Sequence, residues 1–244
     1  MTVRIIEKWV NMIADLLFPR RCPVCFQIVM PKGHLICPDC RKKLEFVEEP
    51  VCKKCGKEIE RMEAEYCYDC LKNERTYNNG WALLNYTDAM RKSVSHFKYH
   101  NKREYADWYV EELLRKYRRI LINLKPDAIL PVPLHDAKRR KRGFNQAEIL
   151  AKGLSLGTGI PMKTDILFRK KNTIAQKNLN NKERLRNLEQ AFAVRRENVK
   201  ELGTVILVDD IYTTGSTIEA CSRVLKKAGV QNVHFISLCI GKGY

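Results

Sequence analysis

A chain of 244 residues, 45% of them hydrophobic, is long enough for one sizeable core and a small satellite domain. Lys and Arg number 45 against 28 Asp and Glu, and the formal charge of +17 argues against an inert module and for polyanionic or phosphorylated partners. No stretch approaches the length of an apolar membrane span, which excludes an integral helical membrane protein.

Val3, Ile6, Val10, Ile13 and Leu17 repeat at helical spacing, with Ile5, Trp9 and Leu16 widening the face. A helix over residues 1–20 is therefore expected, docked on the body of the protein or on a second subunit. Glu7, Lys8 and Asp15 interrupt the apolar run and no small-residue cleavage site follows, so a signal peptide is rejected. A cytoplasmic chain is expected, in a compartment where crowded cysteines hold metal rather than form disulfides.

Four cysteine pairs come next: Cys22 and Cys25, Cys37 and Cys40, Cys52 and Cys55, Cys67 and Cys70. Each half reads CxxC-x11-CxxC, so residues 21–75 form a repeated unit. A two-residue gap lets both thiolates of a tight knuckle point at one ion, and two knuckles complete a tetrahedral S₄ shell. One or two structural Zn²⁺ sites are expected. Spacing alone does not exclude an iron–sulfur cluster, and it leaves both sequential and crossed pairing open, with sequential pairing preferred. Two such sites lower the net charge only to about +13. Glu45, Glu48, Glu49, Glu58, Glu60, Glu63 and Glu65 give the module mixed charge, which argues against its reading DNA directly.

Leu71 to Gly80 is polar and turn-rich and marks the exit from the cysteine module. Trp81 to Tyr86 reads as a strand, Ala89 to His100 as a helix, and Trp108 to Leu121 as a second helix that is apolar on one face and basic on the other. His96 and His100 lack acidic or thiol partners and read as ordinary surface or packing residues. Ala128 to Pro133 is a short buried strand ended at Pro131, followed by the basic run Lys138 to Arg142. Ala147 to Leu156 is a helix. Thr204 to Val208 is a buried strand running straight into Asp209 and Asp210, after which a hydroxyl-rich loop opens a helix to Ala228. Val233 to Cys239 is a further strand. Alternating strands and helices predict an α/β fold: a parallel sheet with helices on both faces, preceded by the small zinc-binding domain. Ligands in such sheets sit beyond the carboxyl ends of the strands.

Two adjacent carboxylates at the end of a buried strand are costly unless they have partners or work. Thr213, Thr214, Ser216 and Thr217 offer hydroxyl donors, Gly215 permits close backbone approach, and the free N–H groups of the helix that follows suit a dianionic phosphate. Carboxylates for ribose hydroxyls beside a phosphate nest are the layout for a 5-phosphoribosyl group. The loop is not a Walker loop, because no Gly-rich run ends in Lys-Ser or Lys-Thr.

VILVDDIYTTGST (Val205 to Thr217) resembles the signature of type I phosphoribosyltransferases. The whole chain, cysteine pairs included, resembles the ComF family of late competence proteins. The resemblance implies a phosphoribosyltransferase-like domain over residues 76–244, with a small hood at about 80–105. It further implies that Asp209 and Asp210 contact the ribose 2′- and 3′-hydroxyls and that Thr213, Thr214, Gly215, Ser216 and Thr217 cradle the 5′-phosphate. Pro131, Val132, Pro133, Lys138 and Arg142 match the pyrophosphate loop, although the basic run could instead face solvent or DNA. Thr173, Gln176 and Arg184 match a mobile loop that closes over the site. Phosphoribosyl pyrophosphate with Mg²⁺ is the implied ligand. A role in natural transformation (DNA uptake) is the implied function, with single-stranded DNA, the competence helicase and the recombination mediator as partners. No residue of the hood specifies an acceptor. The alternatives are thus an active phosphoribosyltransferase with an unidentified acceptor, or a regulatory protein that senses phosphoribosyl pyrophosphate without catalysis.

Overall fold

The computed structural model describes residues 19–60, 63–170 and 190–242. The expected amino-terminal helix, up to residue 18, and the mobile-loop residues Thr173, Gln176 and Arg184 lie outside the described residues. Among those described, no helix is long and apolar enough to cross a membrane.

Two short helices sit in the cysteine module, α1 (Pro38–Lys42) and α2 (Tyr68–Lys72). Strand β1 (Gly80–Asn85), helices α3 (Asp88–Tyr99) and α4 (Tyr105–Asn123), and strand β2 (Ala128–Pro131) follow. Next come α5 (Asp136–Arg142), α6 (Gln146–Thr158) and a hairpin of β3 (Leu167–Arg169) with β4 (Phe192–Val194). Strand β5 (Thr204–Tyr212), helix α7 (Ser216–Lys227) and strand β6 (Asn232–Ile240) complete the chain. The main sheet has the order β1-β6-β5-β2 and all its pairings are parallel. Its strands are buried almost throughout, as runs such as Val205 to Val208 and Val233 to Ile240 require of a sheet covered on both faces.

Each face has its own core. On one side Ile129, Ile206, Val208 and Ile236 pack against α3, α4 and α6 through Val94, Phe97, Trp108, Leu113, Leu150 and Leu154. On the other, Leu130, Leu207 and Phe235 meet Ile218, Cys221 and Leu225 of α7 and the hairpin's Leu167 and Phe192. Helices α4 and α6 cross closely because Gly153 has no side chain: a Cβ there would lie 2.6 Å from a methyl of Val110.

The two cysteine units divide between these cores. Cys22, Val29, Ile36, Cys40 and Leu44 join the α3/α4/α6 side, whereas Val47, Cys52, Cys55 and Cys67 join the α7 side. Between the units, Glu45 to Val47 runs antiparallel to edge strand β1. Phe46 bridges Leu84, Val47 donates its N–H to the Leu83 carbonyl at 3.0 Å, and Glu45 accepts from Asn85 N–H at 2.8 Å. Arg41 of α1 forks onto buried Glu112 of α4 at 2.8 and 3.0 Å, fixing the first unit to the body.

The structure corrects several boundaries. Strand β5 continues through Asp209 and Asp210 to Tyr212, because β6 runs beside it and keeps pairing as far as Ile240. The strand expected over Trp81 to Tyr86 is β1, shifted by one residue and placed at the edge of the main sheet. The basic run, expected in a loop, is helix α5, started by His135 Nδ1 accepting from Ala137 N–H and ended by Gly143 at φ 77°. The β3–β4 hairpin was not expected at all.

Candidate functional site

Strand β5 delivers the two carboxylates to different neighbours. Asp210 meets α3: its Oδ1 accepts from Lys98 Nζ at 2.8 Å, and the two side chains are only 13% and 15% exposed. The Asp209 carboxylate accepts the backbone N–H of Asp210 at 2.8 Å. Burial, and then the adjacent Asp210 charge, push the Asp209 carboxyl up to about 7, while Lys98 and Arg169 pull the other way. Cys221 of α7 lies within electrostatic reach of Asp209, and Cys239 of β6 within reach of Asp210. Both thiols are buried, which pushes them up and keeps them neutral. The site therefore sets one carboxylate in an ion pair against a second that takes up a proton near neutrality.

Beyond Tyr212 the chain turns into α7. Gly215 caps that helix at φ 76°, and a Cβ there would also run into the Tyr212 ring. Only glycine satisfies both constraints. Thr213 and Thr214 are exposed, Ser216 and Thr217 half-buried, and the Thr214 and Ser216 hydroxyls bond each other at 2.9 Å. Together with Asp209 this turn lines a cavity of about 30 Å³.

The turn is braced from the exit of the cysteine module. Arg75 Nη2 donates to the Thr214 carbonyl at 2.9 Å, and Arg75 Nε is buried without a partner. Thr76 gives its N–H and hydroxyl to buried Glu219 at 2.8 and 2.6 Å. The Tyr77 and Tyr212 hydroxyls bond at 2.7 Å, and Tyr212 stacks on Phe235 with centroids 4.9 Å apart.

Pro131, Val132 and Pro133 lie at the carboxyl end of β2, where Pro131 is in register with Val208 and Val132 N–H reaches the Val208 carbonyl at 2.9 Å. This places them one strand away from Asp209. Asn145 holds the returning chain: its Nδ2 donates to the Val132 carbonyl at 3.0 Å and its Oδ1 caps α6. Helix α5 between them carries the basic side chains on two faces. Arg139 forks onto Glu148, and Arg142 donates to Gln146 Oε1 at 2.9 Å and to the Tyr99 hydroxyl at 2.8 Å. Lys138, Arg140 and Lys141 are exposed.

Cys22, Cys25, Cys37 and Cys40 converge in one cluster and Cys52, Cys55, Cys67 and Cys70 in another, with the Sγ atoms of each within 4.8 Å of one another. Tetrahedral Zn–S bonds of about 2.3 Å place sulfurs roughly 3.8 Å apart, and the Cys55–Cys67 pair stands at 3.6 Å. The pairing is sequential, and both sites fit a structural Zn²⁺. Four thiolates leave no open coordination position.

Residues 13–71 match the family model described as a double zinc ribbon domain, and residues 103–243 match the phosphoribosyl transferase domain. Competence protein F of Haemophilus influenzae is 34% identical over 67% of this chain and 73% of its own length. The chain belongs to the competence protein F family. The DNA utilization protein YhgH of Salmonella typhimurium is 30% identical over 65% of this chain and 70% of its own. Among solved structures, the purine phosphoribosyltransferase of Pyrococcus horikoshii is similar, at 22% identity and a TM-score of 0.34, over 55% of this chain and 73% of that one.

Three features of this family member's site escaped the sequence reading. Lys98 is expected there only as part of the hood segment Phe97 to Tyr99 over C1′, and its bond to Asp210 was legible in principle, since Met90, Val94 and Phe97 mark the buried face of α3 and Lys98 flanks it. Arg75 gave no signal, because its partner lies 139 residues away and its own segment reads as a polar linker. Gln146 is 1% exposed with Nε2 unpartnered, a burial that its place at the start of an amphipathic helix does not announce.

Proposed function

We propose that this protein binds phosphoribosyl pyrophosphate through its phosphoribosyl transferase domain and serves DNA uptake in natural transformation, where it contacts single-stranded DNA in the cytoplasm. The observation that carries the ligand assignment is the strand-to-helix turn after Asp209 and Asp210, closed by Gly215 at positive φ and opening the twelve-residue helix α7. Asp209 and Asp210 would take the ribose hydroxyls, and Thr213 to Thr217 the 5′-phosphate at the helix N-terminus. Pro131, Val132, Pro133, Lys138 and Arg142 would face the diphosphate, and Thr173, Gln176 and Arg184 would close over it. Apart from the two Cys₄ groups, no group of three or more metal-binding side chains converges among the described residues. Mg²⁺ would therefore arrive held largely by the ligand's own oxygens, as this hard cation does at phosphate sites, supplying charge to the diphosphate.

The printed names of the relatives, competence protein F and DNA utilization protein, support the DNA role. The exposed cations Arg140 and Lys141 on α5 supply a surface for it, since lysines and arginines on phosphates release counterions whatever the sequence. The competence helicase and the recombination mediator would be its protein partners.

Calorimetric titration of the zinc-loaded protein with phosphoribosyl pyrophosphate and Mg²⁺ tests the ligand assignment. Micromolar binding that disappears in the Asp209→Asn/Asp210→Asn double variant is the expected result. No heat from a folded wild-type protein would remove the assignment, whether for catalysis or for sensing, and leave the DNA role alone.

A further inference from the structure

Helix α3 ends on two consecutive side chains that reach different arms of the candidate site. Lys98 bonds Asp210 on β5, and Tyr99 accepts a hydrogen bond from Arg142 at the end of α5. The helix is fixed in place by Phe97, which is fully buried against Tyr109 and Phe144. Its last turn thus spans the gap between the ribose carboxylates and the basic segment assigned to the diphosphate. In a ligand that occupies both arms, the bond between C1′ and the diphosphate crosses this gap.

Around the Lys98 ammonium stand Asp210 and, farther off, Asp209 on β5, Cys239 on β6 and Tyr86 after β1. In the structure Lys98 neutralises Asp210. A ribose diol needs the same carboxylate oxygens. A lysine has three donors on a flexible stem, so it can leave one anion for another nearby at little conformational cost.

We propose that Lys98 is a ligand-exchanged positioning residue: ribose hydroxyls displace it from Asp210, and its ammonium then binds the diphosphate oxygens next to C1′. The proposal rests on the phosphoribosyl reading above and adds a residue to it. It makes Lys98 the group that distinguishes a ribose carrying a 1-diphosphate from one that does not. Ribose 5-phosphate would break the Lys98–Asp210 pair without offering a replacement anion, whereas phosphoribosyl pyrophosphate would supply one.

The test compares binding of phosphoribosyl pyrophosphate and ribose 5-phosphate by the full-length, zinc-loaded protein at one fixed Mg²⁺ concentration. The wild-type preference for the diphosphate should fall at least tenfold in Lys98→Met and return in large part in Lys98→Arg. Equal changes for both ligands, or none, would overturn the proposal. Wild-type protein that binds neither ligand would remove the phosphoribosyl reading itself, a result distinct from wild-type binding that Lys98→Met leaves unaltered. Should Lys98→Met fail to fold, the wild-type protein still decides the matter through acetylation of its lysines followed by peptide mass spectrometry. Lys98 should react faster with ribose 5-phosphate bound than in the free protein, and slowly again with phosphoribosyl pyrophosphate. The same rate in all three states would sink the idea.

Discussion

Asp209 illustrates how a carboxyl at the end of a core strand is kept at a cost to the fold. Its folded carboxyl sits near 7 against an ordinary value of 3.8, so the folded state holds a proton that the unfolded chain releases. The sign follows from linkage. Between about pH 4 and 7 the native state binds more protons, so stability falls as pH rises through that window and levels off above it. Removing the charge should reverse this. Asp209→Asn is expected to be more stable than wild type at pH 8, by on the order of 2–4 kcal/mol before solvent access is discounted. It should gain little at pH 5. Denaturant melts at the two pH values check this, and equal differences at both would show that the carboxyl is not strained by burial. The same variant should lose ligand affinity, the usual exchange of stability for function. The carboxylates themselves were plain in the sequence, because a charged pair closing an apolar run has few innocent explanations. Their unequal environments were not, since Lys98 and Arg169 approach from elements more than thirty positions away along the chain.

Among the elements, α5 departs most from its expected form. A run of five basic residues resembles an unstructured loop when only charge is read, yet His135 and Gly143 supply start and stop signals that make it a helix. The helical spacing then divides the run. Arg139 and Arg142, three apart, bond Glu148, Gln146 and Tyr99, whereas Lys138 and Lys141, also three apart, stay exposed. The run therefore presents two sets of side chains, one held by neighbours in the fold and one open to solvent. Lys138→Glu/Lys141→Glu is expected to weaken single-stranded DNA binding several-fold at low salt and to flatten its salt dependence. Affinity for phosphoribosyl pyrophosphate should fall as well, through Lys138, whereas Arg140→Glu/Lys141→Glu should weaken DNA binding and leave that affinity within about twofold. Fluorescence anisotropy with a labelled oligonucleotide across a salt series provides the measurement, and an unchanged slope would move the DNA surface elsewhere. Helix α6 offers a purely structural counterpart. Gly153→Val should destabilise the protein by about 1–3 kcal/mol through overpacking against Val110, with no direct effect on the ligand.

For the molecule as a whole, the sequence made the cysteine module look like a separable domain: a polar linker, a composition change, and a repeat complete in itself. The α/β alternation and the signature loop were equally legible, because they depend on local periodicity and turn chemistry. What local patterns do not encode is that the two cysteine units pack into opposite faces of the sheet, or that the linker residues Arg75 to Tyr77 brace the turn into α7. Zinc removal is accordingly expected to melt more than the ribbons. Chelation, or Cys52→Ser/Cys55→Ser, should lower the thermal midpoint of the entire chain and reduce ligand affinity together, because that ribbon shares a core with Tyr77 and Tyr212. Melting followed by both far-UV and near-UV circular dichroism would show one shifted transition. Two transitions, with the second at the original temperature, would mean that the domains are energetically independent.

The pairing of Glu45 to Val47 with β1 also bears on how the protein can be cut. A fragment begun at Gly80 would retain every strand of the sheet but would present β1 as a bare row of amide and carbonyl groups beside the apolar residues Leu83 and Leu84. Such an edge is a template for joining another sheet. The isolated carboxy-terminal domain should therefore emerge from expression as larger species than the full chain, however faithfully its own core is preserved, and adding back residues 45–79 should cover that edge again.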